Sequence, residues 1–395
     1  MAKLIEITGK ALSGEWGTDD DTGDGIPVLR TTNFTNEGIV NFENVVTRSI
    51  LKKNLQEKYL LTGDIIIEKS GGSDKQPVGR VIYFDGPENK YLFNNFTGLL
   101  RVKDNSKWFP RYVFYSLFAN YRRGGTREYE NKTTGLHNLK IDAYVSKFEI
   151  DDRDYDDQVE ICEHLDRIAT IIRLRKRELQ QLDDLIKARF VEMFGDPEIN
   201  PKGWEKGPLK EYAEVLVGYP FPSEGYSEEG IDIVGGYNLM HGYIQWDDSK
   251  HWPNETGYEQ YLLQANDIVM AMDRPWVNGG FKIARVDISH LPALLIQRTA
   301  CIRGQGLRQE LLHILLDSQR FAEHCNVTGS LVPHISNKDI NSFQVILPPI
   351  ELQREFSAFV AQVDKSKSAV QKALDEAQML FDSLMQKYFQ NSDRG

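Results

Sequence analysis

Cysteine is scarce in this chain: three among 395 residues, at 162, 301 and 325, with no CxxC spacing. That excludes a disulfide framework and a cysteine zinc site, and it points to a reducing cytoplasm. No apolar run reaches membrane-spanning length, so no membrane partner is expected. The opening stretch, MAKLIEITGKALSGEW, lacks the apolar core of a signal peptide. The eight histidines do not cluster at metal-ligand spacing. There is no G-x-x-x-x-G-K-[ST] phosphate loop and no Asn-Pro-Pro-aromatic motif of adenine methylation. RGQGLR (303–308) follows no strand–turn–helix context and reads as a loop. Asp85 with Glu88, Asn89 and Lys90 is a faint metal-nuclease pattern, but it lies in a Gly-Pro-rich turn. The expectation is a chain with no catalytic centre, no metal and no cofactor of its own.

Positive charge is also in short supply. The net charge is −11, which argues against non-specific coating of nucleic acid. It is unevenly spread: +2 over residues 1–150, −5 over 151–197, −7 over 198–348 and −1 over 349–395. Any DNA contact must come from local clusters or be strengthened by a more basic partner.

What is present is a long helical pattern. Residues 156–194 hold no Pro or Gly, and Ile161, Leu165, Ile168, Ile172, Leu179, Leu182, Ile186 and Met193 recur along one seam. Arg175 and Arg189 fill its two gaps. This is a heptad stripe on a helix about 58 Å long at ~1.5 Å per residue. Gly195 and Pro197 then stop it. A stripe of this length needs a partner, and residues 351–390 supply one. Shifting the seam by 198 lands on Phe359, Val363, Ser366, Val370, Ala377, Leu380, Leu384 and Asn391.

The segments before the two helices repeat as well. GIPVLRTTNFTNEGIV (25–40) parallels GIDIVGGYNLMHGYI (230–244), and YLLTGDII (59–66) parallels YLLQANDIV (261–269). GRVIYF parallels GFKIARV, and QELLHILLDSQRFAEHC (309–325) stands where the helix begun by Pro110 stood. The expected fold class is α+β: two mixed globules, 1–150 and 198–348, and two long coiled-coil helices, 151–197 and 349–395. If the helices pair antiparallel, the halves are related by a pseudo-two-fold axis. Such symmetry commonly mirrors two half-sites on a duplex, and here the diverged globules predict unlike half-sites.

Taken in this order, the chain resembles the DNA-specificity (S) subunits of type I restriction-modification systems. The match rests on the duplicated plan, the junction FVEMFGDPEINPKGWEKGPLKEYAEV (190–215), the GIPVLRTTNF run, the TG-x-L run before each helix, and LPPIELQREF (347–356). The first copy departs from it, reading FEIDDRDYDDQ in place of the Pro-Pro step. The resemblance implies that each globule is a target recognition domain reading one part of a split site on double-stranded DNA. It implies that the helices fix the spacer and dock two adenine methyltransferase (M) subunits, joined by restriction (R) subunits. S-adenosylmethionine, ATP and magnesium would then belong to those partners. A stand-alone metal-dependent nuclease and a protein-only coiled-coil adaptor are the alternatives.

DNA-contacting residues are read from type and position. Lys69, Ser70, Lys75, Gln76 and Arg80 lie in a Gly/Ser-rich loop that permits close backbone approach. Arg274, Trp276, Asn278 and Lys282 stand in the matching stretch of the second globule. Arg122, Arg123, Arg127, Lys132, Thr133, Thr134 and Lys140 form the densest basic-polar run, matched by Thr328, Ser330 and His334. Thr31, Thr32 and Asn33, with Tyr237 and Asn238, follow apolar strands in both copies, and Asn can read adenine bidentately. Each of these has a plain structural reading too: mobile hairpin, solvated charge, strand terminator, or a Trp that packs inward. RLRKRE (173–178) reads first as i,i+4 pairs and solvated flanks of the helix.

Overall fold

The computed structural model describes residues 1–52, 54–133, 136–277, 280–327 and 333–390. The chain forms two compact units, one of residues 1–176 and 372–395, the other of residues 177–371. Each holds one globule and half of each long helix, because the helices run unbroken over Tyr155–Phe194 and Ile350–Phe389. Among the described residues, no helix is long and apolar enough to cross a membrane.

The two globules share one strand plan. In the first, an antiparallel sheet runs Leu12–Ser13, Thr97–Leu100, Ile65–Glu68, Val81–Tyr83. In the second the order is Ala213–Val217, Thr299–Gly304, Ile268–Ala271, Ile283–Arg285. A second sheet follows in each, with one parallel pairing: Val28 opposite Leu92, and Ile233 opposite Leu294. Continuous runs such as Ile65-Ile66-Ile67 and Ile268-Val269-Met270 form these central strands because both faces are covered and every residue is buried. In both globules an Asp–Arg pair ties the central strand to its neighbour. Arg101 grips Asp64 through Nε at 2.7 Å and a terminal nitrogen at 2.6 Å, and Arg303 grips Asp267 at 2.8 and 2.7 Å. The two-pronged geometry pairs nearly buried carboxylates with planar cations, and removing either Arg would leave a charge without a partner.

Each globule is bolted to a long helix by a docking helix, Pro110–Arg122 in the first and Gln309–Leu316 in the second. A buried glutamine near the start of each long helix accepts the first free amide of the docking helix. Phe109 N donates to Gln158 at 2.9 Å, and Arg308 N donates to Gln353 at 2.9 Å. These amides have no partner within their own helices.

Within each unit the helix halves lie antiparallel. In the first, His164 near the start of the central helix meets Tyr388 near the end of the C-terminal one. In the second, Arg189 pairs with Glu355 and Lys367 with Asp183. Phe190, Phe194 and Phe356 pack edge to face there. The repeat offset is a correction: the helices match at 195 residues, not 198. At that shift Gln158, Ile161, Leu165 and Ile168 map onto the buried Gln353, Phe356, Val360 and Val363. Ser366 and Leu380, assigned to the seam at 198, are exposed, whereas Phe381, Met385 and Phe389 are buried. Asn391 lies outside the described residues.

The junction after the central helix is a cap. Gly195 takes φ +76°, and a side chain there would meet Pro201 at 2.6 Å. Trp204 Nε1 donates to the Phe194 carbonyl at 2.9 Å, and Lys202 Nζ to the Met193 carbonyl at 2.8 Å. Those carbonyls would otherwise be orphans of the helix end.

Candidate nucleic-acid interface

In the first globule, two stretches far apart in sequence form one patch. Strand Ser70–Gly72 pairs with Leu136–Leu139, which pairs with Glu130–Thr133. His137 fastens the sheet from below, with Nδ1 2.9 Å from Glu130 Oε2 and Nε2 3.5 Å from Asp74. Glu130 also accepts the Val78 amide at 2.9 Å. Gln76 reaches the Tyr121 hydroxyl at 3.2 Å, and Arg127 the Asp74 carbonyl at 3.3 Å. Gly72 is required here, since a Cβ would lie 2.6 Å from Val78 N. Lys75, Gln76, Arg122, Arg123, Arg127 and Lys140 all stand exposed around this frame. Lys69 is half-buried and donates to Ser13 at 2.9 Å; burial, with Lys58 nearby, lowers its ammonium below the usual lysine range.

Other expected contacts have structural tasks. Asn33 is buried: its Oδ1 accepts from Arg30 N at 3.0 Å, and its Nδ2 donates to the Asn41 and Glu43 carbonyls. Asn238 does the same work, accepting from Gly235 N at 2.9 Å and donating to Ile233 O and Ser249. Both amides shape their turns and do not face solvent. Thr31 and Thr32 sit in the short 3-10 turn that Asn33 holds. Arg80 clamps that turn through the Thr31 and Phe34 carbonyls, while facing Glu68 at 3.5 Å. Burial raises the Glu68 carboxyl, and Arg80 opposes that shift. Lys282 is its counterpart, donating to Gly236 O at 2.7 Å. Arg122 is tied to Asp382 of the C-terminal helix at 2.7 Å.

In the second globule, the 273–282 stretch meets the segment around 334. Arg274 N donates to Pro333 O at 3.0 Å, and Asp273 pairs with His334 at 2.5 Å and with Arg298 at 3.0 Å. Arg274 and His334 are exposed. Trp276 is half-buried, edge to face with Phe281 at 4.9 Å, as a packing residue would be. Tyr237 donates to Ile233 O, and burial pushes its hydroxyl up to about 12. Thr134, Asn278, Thr328 and Ser330 lie outside the described residues; Lys132 and Thr133 belong to the outer strand of the first patch.

Two features escaped the sequence reading. Arg298 is exposed at φ +63° beside Asp273, and nothing local in QRTA marks it. Lys250 Nζ lies 4.8 Å from the Tyr226 ring and 5.1 Å from the Tyr237 ring, a cation–π contact visible only once the strands are paired. Among the described residues, no group of three or more His, Cys, Asp or Glu is arranged to hold a metal. Glu88 instead accepts the Thr62 amide.

The geometry defines a duplicated α+β scaffold that presents one polar-basic loop cluster from each globule. Residues 2–184 match the family described as type I restriction modification DNA specificity domain. The Escherichia coli type I restriction enzyme EcoAI specificity subunit is 35% identical over 170 residues, covering 42% of this chain and 28% of that protein's length. The Methanocaldococcus jannaschii MjaVIII specificity subunit is 23% identical over 287 residues, covering 66% of this chain and 67% of that one. A crystal structure of a type I restriction-modification S subunit from M. genitalium shares the fold, with TM-score 0.56 and 15% identity over 98% of this chain and 95% of that one. The first half of the chain thus matches the type I DNA specificity domain, and the chain as a whole is similar in sequence and fold to specificity subunits of those systems.

Proposed function

We propose that this chain is the sequence-reading subunit of a type I restriction-modification complex. The observation that carries the reading is the pairing of two globules of one plan, each with exposed cations on a strapped loop cluster. Residues 1–150 and 198–348 act as the two recognition domains, and 151–197 and 349–395 as the helices between them. Each domain takes one half of an asymmetric bipartite site on double-stranded DNA. Lys75, Arg127 and Lys140 in the first, with Arg274 and His334 in the second, are suited to phosphates and base edges. Arg123, Lys132, Thr133 and Lys69 border the first cluster. Asn33, Asn238, Arg80 and Lys282 hold the turns in shape behind these residues.

The chain itself carries no chemistry in this reading. Two adenine methyltransferase subunits dock on it in the cytoplasm and bring S-adenosylmethionine; restriction subunits bring ATP and magnesium. The test is methylation by the assembled complex. The chain alone should transfer no methyl group, and adding its methyltransferase should methylate adenines within one split, asymmetric site. Metal-dependent cleavage by the isolated chain would favour a nuclease instead, and a complex that protects no DNA would favour a protein-only adaptor.

A further inference from the structure

The joint between globule and long helix is built twice from matching positions, but with its charges rearranged. In the first unit Arg111, the second residue of the docking helix, donates to Asp166 on the central helix at 2.9 and 2.6 Å. The Tyr115 hydroxyl donates to the same oxygen at 2.5 Å, and the Tyr83 ring lies 4.5 Å from the guanidinium. In the second unit the residue at the Arg111 position is Glu310, and at the Tyr83 position it is Arg285. Arg285 donates to Asp364 on the C-terminal helix at 2.6 Å and to Asn266 at 3.1 Å. Glu310 accepts from Ser357 at 2.6 Å and from Asn266 at 2.9 Å.

The cation has therefore moved from helix to strand, and the acid it meets has moved along the long helix. Asp166 and Asp364 stand 198 residues apart, while the helices that carry them are offset by 195. Three residues are about 4.5 Å of rise and about 300° of turn, so the two acids occupy different faces at different heights. The glutamine bolts, by contrast, keep the 195 offset. Apolar packing holds each docking helix against the long helices, with the Arg122–Asp382 pair added in the first unit. The acids lie about 12 Å (Asp166) and about 16 Å (Asp364) along the helix from the glutamine bolts, and a directional contact displaced along the axis resists tilting about the bolt.

We propose that Asp166 and Asp364 are positioning residues that set the angle at which each globule stands on its helix, and thereby the spacing at which the two half-sites are accepted. The second clause rests on the DNA-reading function above; the first does not. The charge rearrangement also makes each seat wrong for the other globule, since Glu310 could not occupy the place of Arg111 beside Asp166.

Two measurements on the full chain test this. For the first, spin labels at Lys75→Cys and Arg173→Cys, both exposed positions, report globule against helix; the native cysteines are buried. Asp166→Asn should broaden the distance distribution, and Asp166→Glu should partly restore it. A distribution as narrow as that of the unaltered chain overturns the proposal. For the second, the complex with methyltransferase is offered the native site and sites with one base pair added or removed between the halves. Asp166→Asn and Asp364→Asn should each lose about tenfold of the spacing discrimination, the scale of one charge-assisted hydrogen bond, with the half-site sequences unchanged. Broadened distances with undiminished discrimination would overturn the link to spacing. Absence of methylation by the unaltered complex would count against the DNA-reading function, and the distance measurement would then decide the joint by itself.

Discussion

Asparagine 33 shows what a residue's type can and cannot reveal. An Asn after a strand is equally at home on an adenine edge or inside a turn. Its three hydrogen bonds in the structure, repeated by Asn238, place both inside turns. Arg80 and Lys282 divide the same way, because the carbonyls they meet lie about 46 residues away in the chain. Lys75, Arg127 and Lys140, in the same stretches of sequence, remain exposed. The two groups should separate experimentally. Asn33→Ala should lower folding stability by about 1–3 kcal/mol by leaving buried backbone groups unpaired, as read by denaturant unfolding. Lys140→Ala should leave unfolding unchanged and weaken DNA binding by the assembled complex, with the salt dependence of the binding constant shallower by about 0.9 for one lost phosphate contact.

The long helices were legible from their apolar period and their stops, but their register was not. A stripe with spacings of three and four looks nearly the same after a three-residue slip, so offsets of 195 and 198 compete on pattern alone. The choice is made by non-local partners: the glutamine bolts at one end and the aromatic edge of the seam along it. Phe381, 6% exposed, faces Tyr115, while its neighbour Leu380 is 51% exposed. Phe381→Ala should cost about 3–5 kcal/mol, and Leu380→Ala should stay within about 0.5 kcal/mol. Equal losses in thermal or denaturant unfolding would favour the 198 offset. The loop strands were hidden for a related reason. Residues 130–133 and 136–139 are too polar to announce strands, and they pair through the contact of His137 with Glu130 and the glycine-rich strand beside them.

At the level of the whole chain, duplication was the most readable property, because it needs only order and spacing to be seen. Both globules repeat their sheets, their Asp–Arg clamps and their asparagine turns, and they differ in the loop clusters and in the charges of their joints. A common frame with unlike loops is what two separate readings of one DNA site require. The direct measurement is to replace residues 1–150 with the corresponding domain of another specificity subunit and map the adenines methylated by the complex. The account predicts that one half of the bipartite site changes and the other is kept; a change in both halves, or in neither, would contradict it.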